Sequence, residues 1–239
     1  MAGELVLHGA ASEPLDPALL SLIAASLAFV GFHLVMSHPL RPWLARLGQG
    51  GFMLVYNLVI IAAFVWMIIA FRAAPTGDLG GSGELGWLLA SALTLPALVL
   101  FLGSLTPRNP SMPSPGAEAA ARAGPGGVFI VTRHPMMWGF ALWAIAHLIL
   151  WWSWRTTILG LAILVMALLG SHLQDRKKRR LMGEAWLQWE AQTSYWPRWS
   201  RLGAAGWRGW LAALLAWAVL TWVHLPLAGI PAGIWRWIG

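Results

Sequence analysis

The most informative part of the sequence is Thr132-Arg133-His134-Pro135-Met136-Met137-Trp138-Gly139, which continues through Trp143 to Ala146-His147-Leu148. A charged and aromatic turn opens a long apolar run, and Pro135 is favourable in the first turn of a helix. The run carries His147, and a histidine inside an apolar span is costly unless another group binds it. The stretch therefore predicts a membrane-spanning helix with a functional residue inside it.

The composition of the whole chain is typical of an integral membrane protein. Of its 239 residues, 58% are hydrophobic and only 10% are charged, with a mean hydropathy of +0.64. A soluble domain carries about 25% charged residues, and several apolar runs here reach the roughly 20 residues that cross a bilayer. We therefore predict an all-α, polytopic membrane helical bundle.

Six apolar runs predict about six transmembrane helices, at residues 18–37, 52–71, 85–105, 135–152, 157–172 and 210–227. They make one transmembrane domain, residues 18–227, between a polar tail at residues 1–17 and a short interfacial segment at residues 228–239. The amphipathic segment 181–199 predicts an additional interfacial helix. The acidic start of the chain lacks the basic region of a signal peptide, so the first run is predicted to stay as a span.

The net charge of +7 indicates a membrane orientation rather than a nucleic-acid partner. Most of the 16 Lys and Arg residues fall in the connectors after the first, third and fifth spans. The positive-inside rule then places these connectors in the cytoplasm and both termini on the outer side. A bacterial inner membrane and its anionic lipids fit this pattern.

Histidine is the residue type that could carry chemistry, since the absence of cysteine excludes disulfides, thiolate metal sites and cysteine nucleophiles. His8 lies in the tail, and His224 near the end of the last span is interpreted as a packing residue. The other five histidines lie within or at the ends of the first, fourth and fifth predicted spans: His33, His38, His134, His147 and His172.

Two histidines from different spans would suit the axial positions of a haem. His134 and His147 are about 220° apart on a helical wheel, so they cannot both bind one ion from a straight helix. Trp138 and Trp143 could line such a pocket. The alternative is that each histidine bonds a neighbouring carbonyl and packs. No spacing typical of a zinc site occurs.

A second candidate site combines Arg133, His134 and Asp175 with the helix predicted at residues 183–189. These residues could form a cytoplasmic cup that holds a charged cofactor through Arg133. The alternative is that the basic residues, including those at 176–180, anchor the protein to lipid headgroups.

Four segments together resemble the NnrU family of membrane proteins: residues 32–41, 132–148, 170–177 and 193–197. The likeness covers most of residues 20–200, and the family is related to ζ-carotene isomerases. Those relatives hold haem b through two histidines, which the resemblance places at His33 and His147, with His38 as a rival to His33. Arg133, His134, Trp143 and His172 are expected to contribute to cofactor binding.

The resemblance implies a cis-trans isomerase or redox enzyme that acts on an apolar, carotenoid-like substrate. It also implies a denitrification-associated factor that joins a respiratory or nitrogen-oxide enzyme. The start of the 132–148 stretch is similar to isoprenylcysteine and phospholipid methyltransferases. That likeness favours an alternative, S-adenosylmethionine bound at Arg133, His134 and the 175–190 helix. A third hypothesis is a membrane assembly factor without catalytic activity.

Overall fold

A computed structural model describes residues 16–76 and 81–238 of the chain. The predicted tail, with His8, therefore lies almost entirely outside the described residues. The described residues form helices and no strand, with one isolated bridge between Gly81 and Trp151. The helices are α1 (Pro17–Ser37), α2 (Arg41–Leu44), α3 (Gly48–Ala73), α4 (Gly83–Ser104), α5 (Ala117–Arg122), α6 (Pro135–Leu150), α7 (Trp154–Met182), α8 (Glu184–Gln192), α9 (Gly206–Ala228) and α10 (Trp235–Ile238).

The prediction of an all-α polytopic membrane bundle is confirmed. Within the described ranges, five helices are long and apolar enough to cross a membrane: α1, the α2–α3 unit, α4, α7 and α9 with the turn before it. The predicted fourth span corresponds to α6, which has only 16 residues. At the helical rise, that length covers about 24 Å.

Local capping explains where the helices begin. The Asp16 side chain accepts a hydrogen bond of 2.7 Å from the backbone N–H of Ala18, and Pro17 follows as the first residue of α1. The Ser153 hydroxyl accepts from the backbone N–H of Thr156 at the start of α7. Side-chain acceptors of this kind satisfy N–H groups that have no partner inside the helix.

Helix α7 runs about ten residues beyond the end predicted for its span. It continues through the basic run and ends where Gly183 takes a positive φ of 50°. Hydropathy marks only the apolar part of a helix, so it could not show this extension. The extension carries Asp175 and Lys178 into the protein, where both are buried.

Two hydrophobic clusters hold the bundle together. Helix α4 packs against α6 and α9, and α6 also packs against α7. Helix α1 packs against α3 and α7 to form the second cluster, around Leu22 and Met67. Because α7 contacts both α1 and α6, it joins the group of α4, α6 and α9 to the group of α1 and α3.

The predicted interfacial helix is shorter than expected and lies partly inside the protein. Within the segment 181–199 the helix is α8, which packs against α5. Trp186 and Trp189 are fully buried, and the Trp189 ring lies 5.6 Å from that of Phe129. The connector between α4 and α6 therefore covers these tryptophans, which the sequence pattern had assigned to the membrane surface.

Contacts between helix termini define two ends of the bundle. At one, called the Asp175 end, the start of α6 meets the last third of α7 through His134 and Asp175. At the other, called the Trp151 end, Trp151 pairs with Gly81, and Arg155 donates to the carbonyl of Ala74. The predicted orientation puts the Asp175 end in the cytoplasm.

Gly139 lies at a close contact between α4 and α6, and its substitution tests the packing of these helices. A Cβ at Gly139 would lie 2.8 Å from the Ala97 carbonyl oxygen, which is backbone and cannot move aside. We expect Gly139→Ala to destabilise the protein by about 1–3 kcal/mol, through overpacking. The measurement is thermal unfolding of the detergent-solubilised protein by near-ultraviolet circular dichroism.

Gly31→Ala is the matched control, because a Cβ there meets nothing within 4 Å. Alanine favours a helix over glycine, so this variant should unfold at or above the wild-type temperature. Equal unfolding temperatures for the two variants would contradict the described contact of α4 with α6.

Candidate functional site

Two imidazoles meet at the Trp151 end. His147 lies one turn before the end of α6, and His224 lies near the end of α9. Their ring centroids are 6.5 Å apart, with 28° between the ring planes. Two metal–nitrogen bonds of about 2 Å each and the half-widths of two rings add to roughly 6 Å. The spacing is therefore one that a single metal atom can bridge.

Each of these histidines is anchored by its own helix. His147 Nδ1 lies 2.8 Å from the carbonyl oxygen of Trp143, and His224 Nδ1 lies 2.8 Å from that of Leu220. A carbonyl can only accept, so each Nδ1 carries the proton and each Nε2 keeps a lone pair. A fixed tautomer of this kind prepares Nε2 as a metal ligand.

Trp143 lies beside the pair, and its predicted role in a cofactor pocket stays a prediction. Its ring centroid is 4.2 Å from that of His147, at an interplanar angle of 37°. The indole therefore shields one side of the His147 ring, and the Trp143 carbonyl orients it.

His33 occupies a different part of the bundle. Its Nδ1 lies 3.0 Å from the Phe29 carbonyl oxygen, and its ring stands edge-on to Phe29 and Tyr56. Like the pair at the other end, it keeps a free Nε2. Its neighbours come from α1 and α3, which pack against each other.

The structure does not bring His33 and His147 together. His33 is near the end of α1 that lies close to Lys177 on α7, and hence near the Asp175 end. His147 is one turn from Trp151, at the opposite end. The two nitrogens of a shared axial site must lie on opposite sides of one iron, and this arrangement of helices separates them. The neighbour of His147 is His224, which the sequence reasoning had treated as a packing residue.

The Asp175 end holds a buried ionic network. His134 Nε2 lies 2.8 Å from one carboxylate oxygen of Asp175, and the Arg133 guanidinium donates twice to the other. The side chains of His134 and Asp175 are only 1% and 4% exposed. A buried carboxylate is costly unless charged and hydrogen-bonding partners satisfy it, and Asp175 has both. The sequence correctly grouped Arg133, His134 and Asp175.

Arg133 pairs with two carboxylates. In addition to Asp175, its guanidinium lies 3.6 Å from Glu190 of α8, which in turn accepts two bonds from Arg179. The predicted role of Arg133, to hold a charged cofactor, stays a prediction. A cofactor anion at this guanidinium would have to compete with the carboxylates of Asp175 and Glu190.

Backbone contacts hold the turn before α6 against the segment after α8. The Thr132 hydroxyl donates to the carbonyl of Tyr195 at 2.8 Å, and the backbone N–H of Arg133 donates to Ser194. The Trp138 indole also donates to the Tyr195 carbonyl. The Tyr195 hydroxyl bonds Ser171 and Leu168 on α7. The 193–197 motif therefore positions the 132–135 turn.

A half-open cleft with an enclosed volume of about 40 Å³ adjoins this network. Its walls come from the start of α6, the connector after α4 and one face of α7. Residues of both polarities line it: Asn109, Ser111, Met112, Arg133, His134, Pro135, Met136, Met137 and Gln174. His134 thus stands between Asp175 and an open space.

The remaining predicted histidines take no part in either cluster. His172 is exposed on α7, and within the described part of the chain it makes no hydrogen bond or ring contact. His38 follows α1 at the Asp175 end. Burial, followed by the positive charges of Lys177, Arg41 and Arg180, lowers the pKa of His38, so it stays neutral near pH 7.

The ion pair of Arg133 and Asp175 yields a stability prediction. Asp175→Asn leaves a largely buried guanidinium without its main partner, so we expect a loss of about 3 kcal/mol. Unfolding by a denaturant titration in mixed micelles measures this loss. Glu118→Gln is the control, because its pair with Arg122 has side chains about half exposed (51% and 54%). That pair contributes roughly 0.5 kcal/mol or less, and a similar loss in both variants would contradict the structural role of Asp175.

Comparison with known protein families identifies one match. Residues 21–232 match the family described as NnrU protein, and this range includes the His147–His224 pair and the network around Asp175. No curated protein and no solved structure shows significant similarity to the chain. Since the match extends over most of the sequence, this membrane protein belongs to the NnrU family.

Proposed function

We propose that this NnrU-family protein is an integral membrane haem-b protein that acts on an apolar substrate. The observation that carries the proposal is the pair His147 and His224, with Nδ1 anchored and Nε2 free on both rings. The resemblance to ζ-carotene isomerases supports the same cofactor.

The donor set fits haem better than a bare metal ion. No group of three or more His, Cys, Asp or Glu side chains that could hold an ion occurs among the described residues. A zinc site needs three or four protein ligands. A haem brings four nitrogens of its own and needs only axial ligands from the protein, which two imidazoles supply.

The surroundings of the pair suit an apolar substrate. Helices α6 and α9 both pack against α4, so the two histidines lie on neighbouring helices at one side of the bundle. Exposed apolar side chains on these helices include Phe140 and Trp222. A substrate dissolved in the lipid can approach the histidines from this side without crossing water.

In this proposal His147 is the permanent ligand, because its ring is held by both the Trp143 carbonyl and the Trp143 indole. His224 is held by its carbonyl bond and would be the less constrained of the two ligands. A haem held by this pair would supply Lewis-acid or one-electron chemistry at a polyene double bond. Isomerisation of a carotenoid-like polyene is the reaction that the family resemblance favours, with a redox reaction on a similar substrate as the variant.

The methyltransferase alternative has less structural support. It requires Arg133 to bind a charged cofactor, and that guanidinium is paired with Asp175 and Glu190. An assembly factor without catalytic activity would need neither the anchored imidazole pair nor a cofactor. A role beside a respiratory or nitrogen-oxide enzyme is compatible with a haem protein.

The absorption spectrum of the purified protein tests the proposal. We expect a Soret band and, after reduction, the sharp visible bands of a six-coordinate haem b. His147→Ala should abolish the band, and His224→Ala should convert the spectrum to that of a five-coordinate haem or abolish it. The exposed residue His172 gives the control, since His172→Ala should keep the wild-type spectrum.

His33→Ala separates the two assignments of the second ligand. The structure predicts that it keeps the wild-type spectrum. Loss of the six-coordinate spectrum in His33→Ala, with His224→Ala unchanged, would replace His224 by the residue that the family resemblance indicated. A wild-type protein that stays colourless after incubation with haem would contradict the whole proposal.

A further inference from the structure

The cavity at the Asp175 end has a proton acceptor in its wall. Because the Asp175 carboxylate accepts from His134 Nε2–H, a neutral His134 ring keeps its lone pair on Nδ1. No hydrogen bond to this nitrogen occurs within residues 16–76 and 81–238. The arrangement is the reverse of that at His147, and it offers an acceptor to a ligand hydroxyl.

A second polar group in the same wall also lacks a partner. The Ser111 hydroxyl oxygen is buried and makes no hydrogen bond to the described part of the chain. A buried hydroxyl without a partner costs about 1–3 kcal/mol. Gln174 donates to the Ser111 carbonyl and so fixes the position of this residue in the cavity wall.

The charged groups around the cavity already have partners, which favours an uncharged ligand. Arg133 is the cationic residue of the lining and pairs with Asp175 and Glu190, and Lys178 behind the wall donates to the carbonyls of Pro110 and Met112. An anion would have to compete with two carboxylates that are already in place, and a cation would meet Arg133. A neutral molecule with a hydroxyl group avoids both costs.

The apolar half of the lining favours an aromatic ring. Three methionines contribute to it: Met112, Met136 and Met137. Thioether sulfurs make favourable contacts with aromatic rings and adapt to their shape. Met112 is 41% exposed, and Met136 and Met137 belong to the first turn of α6. An apolar tail on the ligand would lie against this methionine surface.

We propose that this cavity binds the head group of a lipid-soluble hydroquinone, with one ring hydroxyl donating to His134 Nδ1. Ser111 is placed to bond an oxygen of the same head group, and the methionines contact the ring. Asp175 acts as a positioning residue, since it holds His134 in the required tautomer, and Arg133 in turn pairs with Asp175. This inference does not depend on the haem proposal, which concerns the opposite end of the bundle.

Calorimetric titration of the full-length protein in lipid nanodiscs tests the proposal, under anaerobic conditions. The probes are a decyl-substituted benzohydroquinone and its dimethyl ether, which has the same ring and tail but no hydroxyl hydrogen. We expect saturable binding of the hydroquinone and at least about tenfold weaker binding of the ether, because the bond to His134 is lost.

Three variants locate the site. His134→Gln can still donate to Asp175 but lacks the ring nitrogen, and it should weaken hydroquinone binding by about tenfold. Ser111→Ala should weaken it a few-fold, and it provides a second readout because the hydroxyl it removes has no partner in the fold. His172→Gln is the matched control at an exposed histidine of the same end, with unchanged affinity expected.

Equal affinity for the hydroquinone and its ether would overturn the proposal, and so would wild-type affinity in both His134→Gln and Ser111→Ala. If His134→Gln does not fold, the ether comparison and Ser111→Ala still decide the question. His147→Ala removes a proposed haem ligand and should bind the hydroquinone normally, so the two proposals fail independently.

Discussion

The carboxylate of Asp175 is the point on which the Asp175 end of the molecule depends. It is almost completely buried, and its two oxygens are divided between Arg133 and His134. The charge could not remain there without such partners. The bonds in turn fix where α6 begins relative to α7, and Glu190 extends the same network to α8. One carboxylate thus determines the relative positions of three helices.

The neighbouring 193–197 segment strengthens this arrangement by bonds of a different kind. It satisfies backbone groups of the turn before α6, through Thr132 and Arg133, while the Tyr195 hydroxyl reaches α7. Arg133 also lies over the Tyr195 ring at 5.5 Å. Charged, aromatic and backbone contacts therefore converge on four consecutive residues, 132–135. This short motif therefore contacts both α7 and the segment after α8.

The sequence predicted best those features that depend on residues close together in the chain. Hydropathy and helical length predicted the membrane bundle, and the proline and the charged turn predicted where α6 starts. It was less informative about partners across the fold. The position of His224 beside His147, and the burial of Trp186 and Trp189, depend on how separate helices pack. An amphipathic pattern has the same form whether its apolar face meets lipid or protein, so the sequence could not show that α8 packs Trp186 and Trp189 against protein.

The hydrogen-bond partner of a histidine determines which ring nitrogen keeps the lone pair and can bind a ligand. At His147 the acceptor is a carbonyl of its own helix. Nδ1 donates to that carbonyl, and Nε2 is the nitrogen without a hydrogen bond to the helix. At His134 the acceptor is a carboxylate on another helix, so Nε2 is consumed and Nδ1 remains. The bond to the carbonyl lies within a single helix. A ligand can therefore bind Nε2 of His147 without breaking a contact between helices. The carboxylate bond belongs to an ion network that joins α6 to α7. The first arrangement suits a metal ligand and the second suits a proton acceptor, which is why the two ends of α6 are assigned different chemistry.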